Sequence, residues 1–225
     1  MIIKVNGMHS MQNTLAVTEL GIKHIGMVFQ KDSPRNVTMI PTHAGIIPDR
    51  GKKTSQSIIK IGIFSNEMAQ NIITRVVNFR LNMIQFDGEE TATLIRNLRR
   101  TLAPSGGNNE KRPISSGIKF IKTIKIGCSK DVERWKDYND CIDYFIFDAK
   151  GNSVDNSGNK FDLSILDTYN GQKPFLIAGI GTEDAERIKA LHHPQFAGID
   201  LGTPFESETA TIDIEVLRKF MRDIS

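Results

Sequence analysis

The feature that most constrains this chain is a regular alternation of short apolar runs with segments of helical spacing, continued from end to end. Most of the apolar runs are apolar on both faces, which is typical of parallel strands covered by helices. The runs predict eight strands, at residues 2–5, 24–29, 58–64, 83–86, 118–126, 144–147, 175–178 and 197–201.

The segments between the runs predict helices, because their apolar residues recur at helical spacing. Eight strands, each followed by a connection, in 225 residues favour a (β/α)₈ barrel, which usually has about 250 residues. A doubly wound open sheet needs only about five or six strands. We therefore predict an α/β fold, a single TIM-barrel domain over residues 1–225. The helices are predicted at residues 11–20, 67–79, 89–102, 182–191 and 212–221, and more weakly at 130–138 and 163–169.

Three connections differ from a regular barrel unit. Residues 36–57 contain two prolines and two glycines, so the second helix is expected to be broken or absent. Residues 103–117 are expected to form a surface loop on the face of the barrel that serves stability. Residues 149–162 are polar and rich in glycine, and they follow the sixth strand on the opposite face, where they are a candidate lid.

The composition argues against several classes of protein. Of the residues, 39% are hydrophobic and 24% charged, as in soluble globular domains. The 29 basic and 26 acidic residues are interleaved, so we expect neither nucleic-acid nor membrane binding. We see no apolar run of about 18 residues and no secretory signal peptide, which predicts a cytoplasmic protein. Cys128 and Cys141 lack metal-ligand spacing and are expected to be thiols, so no metal is predicted.

In a (β/α)₈ barrel the active site lies at the carboxyl ends of the strands. The first strand stops at Asn6-Gly7, and the sixth, "YFIFD", ends at Asp148. A carboxyl group among apolar neighbours has a raised pKa and can act as a general acid. The alternative for Asp148 is a structural role, as a cap or in a salt bridge with Lys150.

The turns after the last two strands predict an anion site. Barrels often bind phosphate there through backbone N–H groups. In "AGIGTEDA", the two glycines would let the backbone approach an anion, and Thr182 could cap the next helix. A simple turn is the alternative. The candidate phosphate-binding residues are Gly179, Gly181, Gly202 and Thr203.

Several stretches in order along nearly the whole chain resemble phosphoribosylanthranilate isomerase, the (β/α)₈ enzyme of tryptophan biosynthesis. They are "IIKVNGM", "GMVFQKDSPRNV", "IQFDGEE", "FIFDAK", "SGNKFDLSIL", "FLIAGIG" and "GIDLGTPFES". The resemblance implies an Amadori rearrangement without a cofactor, in which a phosphorylated aminoaldose becomes an aminoketose. It further implies a protein that is a monomer or a homodimer.

The resemblance also assigns roles to individual residues. It places the general acid at Asp148 and a substrate-binding Arg at Arg35, which could clamp the anthranilate carboxylate. A surface salt bridge is the alternative for Arg35. Gln85, in the pattern after the fourth strand, is a second substrate-binding candidate.

The chain departs from the family pattern at the general base. The family has a Cys at the end of the first strand, where this chain has Asn6. An amide has no accessible basic lone pair near neutral pH, whereas a thiol can ionise there. His9 and Asp87 are candidate substitute bases, and a plain loop or capping role is the alternative for His9. The turn after strand eight also contains Pro204, which lacks an N–H donor.

These departures leave three functional hypotheses open. The first is an isomerase that acts on phosphoribosylanthranilate or a related phosphosugar amine. The second is a catalytically impaired paralogue that binds a phosphorylated ligand without turnover. The third is an enzyme of different chemistry at the same site.

Overall fold

The computed structural model describes residues 1–38, 58–103, 117–149 and 162–225. Eight parallel strands pair in sequence order and form one closed barrel, with β1 also paired to β8. The predicted (β/α)₈ barrel is confirmed. The strands are β1 Ile2–Val5, β2 His24–Val28, β3 Ile59–Phe64, β4 Met83–Phe86, β5 Lys119–Ile126, β6 Tyr144–Ala149, β7 Phe175–Ala178 and β8 Phe196–Leu201.

Helices follow most of the strands and cover the barrel. They are α1 Met11–Glu19, α2 Ala69–Phe79, α3 Ala92–Leu102, α4 Ser129–Val132, α5 Trp135–Tyr138, α6 Ala185–Lys189 and α7 Ile214–Asp223. Two 3₁₀ helices occupy Leu163–Thr168 and Thr203–Phe205, and a short antiparallel hairpin, β9 Glu206–Glu208 with β10 Thr211–Ile212, follows the second of these. None of the helices in the described ranges is long and apolar enough to cross a bilayer.

Three predicted helices differ from the observed ones. The helix expected at residues 182–191 is only α6, and Asp184 is its N-cap residue, so the prediction that Thr182 caps this helix is wrong. The Asp184 carboxylate holds the preceding turn by accepting a hydrogen bond from the Gly181 N–H at 2.8 Å. Residues 130–138 form two short helices, and residues 163–169 form a 3₁₀ helix.

The predictions for the three irregular connections fall mainly on residues that the structure does not describe. These are 39–57 in the second unit, 104–116 before β5 and 150–161 after β6. The broken second helix, the surface loop, the candidate lid and the alternative partner Lys150 therefore remain predictions.

The side chains inside the barrel determine which residues reach its carboxyl-end mouth. Apolar residues from five neighbouring strands fill the centre: Ile61, Met83, Ile121, Ile146 and Leu176. Because side chains alternate along a strand, residues two or four positions further on also point inward. On β6 this places Asp148 at the mouth, two residues beyond Ile146, and on β5 it places Lys125 there, four residues beyond Ile121.

Candidate active site

A buried ion pair lies under the mouth where β1 meets β8. Lys4 and Asp200 are Cα partners in the sheet, both are buried, and their side chains are 2.8 Å apart from Nζ to Oδ1. The side-chain oxygen of Asn6, at the end of β1, accepts a hydrogen bond from the Lys4 ammonium. Burial raises the pKa of the Asp200 carboxyl group, and hydrogen bonding by the Asn6 side chain is among the effects that act in the opposite direction.

Burial dominates the electrostatics of this pair. It lowers the pKa of Lys4 and raises the pKa of Asp200, and in each case the charge of the partner acts in the opposite direction. Breaking such a pair is strongly destabilising, because one charge is left buried and uncompensated. The Asn6 side chain helps to stabilise this pair, because its oxygen accepts a hydrogen bond from Lys4. Sequence reasoning missed Lys4, although a lysine within the apolar run "IIKV" is a signal for a buried cation with a partner.

Asp148 is half-buried at the end of β6, as the sequence predicts. Burial, followed by the negative charges of Asp87 and Asp200, raises the pKa of Asp148 to about 6, while Lys125 acts to lower it. Gly179 lies against the carboxyl group with φ +77°, and a Cβ there would be 3.2 Å from Asp148 Oδ1. A glycine at this turn therefore leaves room for the carboxyl group and accepts the left-handed backbone.

Asp87 and Gln85 form a second polar group at the mouth, at the end of β4. The buried Gln85 amide donates hydrogen bonds from Nε2 to Thr123 Oγ1 at 3.1 Å and to Asp87 Oδ1 at 3.2 Å. Its Oε1 is buried without a hydrogen-bond partner among the described residues. Gln85 thus orients Asp87 and keeps one acceptor unused, and a buried unused acceptor needs a donor.

Arg35 makes a bidentate ion pair with Glu206 at the edge of the mouth. Its Nε donates to Glu206 Oε1 at 2.7 Å and its Nη2 donates to Oε2. This hydrogen bonding raises the pKa of Arg35. Gly7 has φ +73°, and a Cβ there would come within 2.9 Å of Arg35 Cδ. The turn after β1 thus needs glycine to admit this arginine. Sequence reasoning missed Glu206 as its partner, since the two residues are 171 positions apart.

The remaining predicted residues have different surroundings. His9 is exposed in the loop between β1 and α1, and no hydrogen bond joins it to another described residue. At the predicted anion site, the Gly181 N–H is already donated to Asp184, whose other oxygen binds Arg187 Nη1 at 2.6 Å. The Thr203 N–H has no partner among the described residues.

The described residues of the mouth supply a proton donor and charged side chains but no group that resembles a metal site. Within the described ranges, His, Cys, Asp and Glu side chains form no group of three or more that could hold a metal ion. A half-buried carboxyl group with a pKa of about 6 is partly protonated near neutral pH, so it can donate a proton to a bound molecule. Such chemistry suits an acid–base reaction of a small polar ligand.

Solved structures with similar folds include several phosphoribosylanthranilate isomerases. The enzyme of Thermus thermophilus superposes with a TM-score of 0.76 at 19% identity, and that of Thermotoga maritima with 0.75 at 22%. A further structure, with a TM-score of 0.73 at 20% identity, is a complex with reduced 1-(o-carboxyphenylamino)-1-deoxyribulose 5-phosphate. Each match covers 100% of this chain and 98% of the other. At these identities the likeness shows the fold alone.

Sequence relatives extend the likeness beyond the fold. No family model matches the chain. The N-(5'-phosphoribosyl)anthranilate isomerase of Phocaeicola vulgatus is 30% identical over 100% of this chain and 98% of its own length. That of Parabacteroides distasonis is 34% identical over 100% of this chain and 93% of its own length. With this identity over its full length and the same closed barrel, the chain belongs to the phosphoribosylanthranilate isomerase family.

Proposed function

We propose that this protein is an isomerase that converts N-(5'-phosphoribosyl)anthranilate to the corresponding aminoketose, as a cytoplasmic step of tryptophan biosynthesis. The observation that carries the proposal is Asp148, a half-buried carboxyl group at the barrel mouth with a pKa of about 6. The family membership supplies the substrate class, because the relatives are named for this substrate.

The reaction begins with ring opening. Protonated Asp148 donates its proton to the furanose ring oxygen while the bond from that oxygen to C1' breaks, and the nitrogen lone pair forms a C=N bond to C1'. A base then removes the proton from C2', which gives an enolamine, and this tautomerises to the ketone. The protons given and taken balance, so the reaction needs no external oxidant or reductant.

Asp87 is the base that the geometry favours. Its carboxylate is half-buried at the mouth, is oriented by Gln85, and lies near enough to Asp148 to raise the pKa of that residue. The Asn6 amide binds Lys4 and has no basic lone pair. Asp200 is buried in its ion pair. His9 is exposed in the loop after β1.

An isosteric substitution tests the base. We expect Asp87→Asn to lower kcat by ~10²–10⁴-fold, because the amide still accepts the Gln85 hydrogen bond but cannot remove a proton. His9→Ala removes the other candidate base and serves as the control, and it should leave kcat unchanged. A large loss in His9→Ala with an active Asp87→Asn would reverse the assignment.

The substrate's anionic groups match the two predicted binding regions. The phosphate would lie between the loops after β7 and β8, near Gly179, Gly202 and the unused Thr203 N–H. Gly181 could join only if Asp184 released its N–H. Arg35 has Nη1 left for the carboxylate, and Gln85 has its unused Oε1 for a substrate donor. Inorganic phosphate should therefore compete with the substrate, and a lack of competition would count against this placement.

The function itself is tested by two assays on the unmodified protein. We expect the purified protein, as a monomer or homodimer, to consume phosphoribosylanthranilate, and its gene to restore growth of a tryptophan auxotroph that lacks the isomerase. Tight binding of the reduced product analogue without turnover would instead support the impaired paralogue. Neither binding nor turnover would reject the proposal.

A further inference from the structure

Lys125 is a charged residue at the barrel mouth to which sequence reasoning assigned no role. It lies on β5, is exposed, and is the Cα partner of Asp148 on β6. Because Ile121 and Thr123 face the barrel interior, alternation directs Lys125 to the same side. The ammonium group is therefore beside the proposed acid, at the open end of the barrel.

Among the described residues, Lys125 is also a cation of the mouth without a counter-ion. Lys4 is paired with Asp200 and Arg35 with Glu206, whereas Lys125 makes no hydrogen bond or ion pair with any residue in the described ranges. Its charge reaches Asp148 and Glu89, since it acts to lower the pKa of both. Glu89 is already bound by Arg134 at 2.8 Å.

The position of β5 in the barrel indicates which end of a bound substrate Lys125 would contact. In the closed barrel β5 lies four strands from β1 and two or three from the β7–β8 side, where the phosphate is placed. A ligand that keeps its phosphate between β7 and β8 and its sugar ring oxygen at Asp148 extends its other end across the mouth. At that end, Asp87 would repel a carboxylate, and much of the charge of Arg35 is offset by Glu206.

We propose that Lys125 binds the aromatic carboxylate of the substrate, together with Arg35, and so selects a carboxylated ring. This inference rests on the proposed function. The substrate carboxylate would supply the counter-ion that Lys125 lacks among the described residues. A charge-assisted hydrogen bond of this kind is among the stronger polar contacts available to a ligand.

The test compares two ligands by calorimetry. One is reduced 1-(o-carboxyphenylamino)-1-deoxyribulose 5-phosphate, and the other is the same compound without the ring carboxyl group. For Lys125→Met we expect the Kd of the carboxylated ligand to rise about tenfold or more and that of the other ligand to stay unchanged. Lys125→Arg should restore most of the affinity.

Lys119→Met is the matched control. Lys119 is on the same strand but at its other end, and its 3.5 Å ion pair with Asp143 is half-exposed, so the variant removes the same charge far from the mouth. Its affinities should equal those of the unmodified protein. Thermal unfolding of each variant confirms that the fold is retained.

Two outcomes would overturn this inference and leave the proposed function standing. One is an unchanged affinity of Lys125→Met for both ligands, and the other is an equal loss for both, since neither shows recognition of the carboxylate. If the unmodified protein binds neither ligand, the proposed function fails as well. The cases are distinguishable, because only the last one lacks binding before any substitution.

Discussion

On the β8–β1 side of the barrel mouth the charged side chains neutralise one another, whereas on the β4–β6 side the described charged side chains do not. Lys4 and Asp200 form a buried ion pair, and the half-buried Asn6 accepts a further hydrogen bond from Lys4. Asp87, Lys125 and Asp148 lie at least partly open to solvent, with no ion pair among the described residues. Gln85 beside them even retains an unused buried acceptor.

The difference indicates that the β8–β1 side serves stability and the β4–β6 side serves the reaction. A satisfied buried pair holds two strands in register but offers no group that can exchange a proton. On the β4–β6 side, burial and the nearby negative charges raise the pKa of Asp148, and a carboxyl group with a perturbed pKa is typical of sites that do chemistry. We therefore expect substitutions on the β8–β1 side to change stability, and substitutions on the β4–β6 side to change the rate.

The largest expected effect is on the rate. We expect Asp148→Asn to lower kcat by ~10²–10⁴-fold, because the amide is isosteric but cannot protonate the ring oxygen. The free energy of unfolding near pH 7 should rise, since the raised pKa of Asp148 means that its ionised form is disfavoured in the folded protein, whereas the amide carries no charge. Steady-state kinetics and chemical denaturation of the same preparation check both statements. An unfolded variant would show a structural role, and a nearly full rate would place the acid elsewhere.

A loss of stability comes next. We expect Lys4→Met to lower the free energy of unfolding by about 3–5 kcal/mol, because Asp200 would remain buried without its cation. The double substitution Lys4→Met with Asp200→Leu should recover most of that loss, since it removes both charges. Urea denaturation measures the three values. A single variant as stable as the unmodified protein would mean that the pair does not hold the β1–β8 closure.

A smaller loss of stability tests the role of Asn6. We expect Asn6→Ala to lower the free energy of unfolding by about 1–3 kcal/mol, because the Lys4 ammonium loses an acceptor. Any turnover that the protein shows should be retained, because the amide does not act on the substrate. A fall in kcat of ~10²-fold or more in a folded variant would place Asn6 in the chemistry instead.

The sequence was sufficient for the fold because its signal is local. Each strand is a separate apolar run, and the order of runs and helices allows few architectures. Asp148 could be found in the same way, since it directly follows such a run. The start of α6 could not be predicted from Thr182, because the Asp184 side chain competes for the turn.

The charge pairs of the mouth depend on closure of the barrel and are not local. Lys4 and Asp200 are 196 positions apart, and Arg35 meets Glu206 only because the loops after β2 and β8 converge. Without knowledge of these pairings, the sequence shows at Asn6 only that the general base of the family is absent. The structure adds that its side chain is engaged by a buried lysine.

Whether Asp148 is the proton donor is decided by the pH dependence of kcat/KM in the unmodified protein and in Asp148→Asn. The substrate phosphate also titrates near pH 6, but it affects both proteins equally and cancels in their ratio. Because folding raises the pKa of Asp148 to about 6, the protonated donor is lost as the pH rises through that value. The ratio of the two kcat/KM values should therefore fall about tenfold for each pH unit above 6. A ratio that stays constant between about pH 5 and pH 8 would contradict proton donation by Asp148.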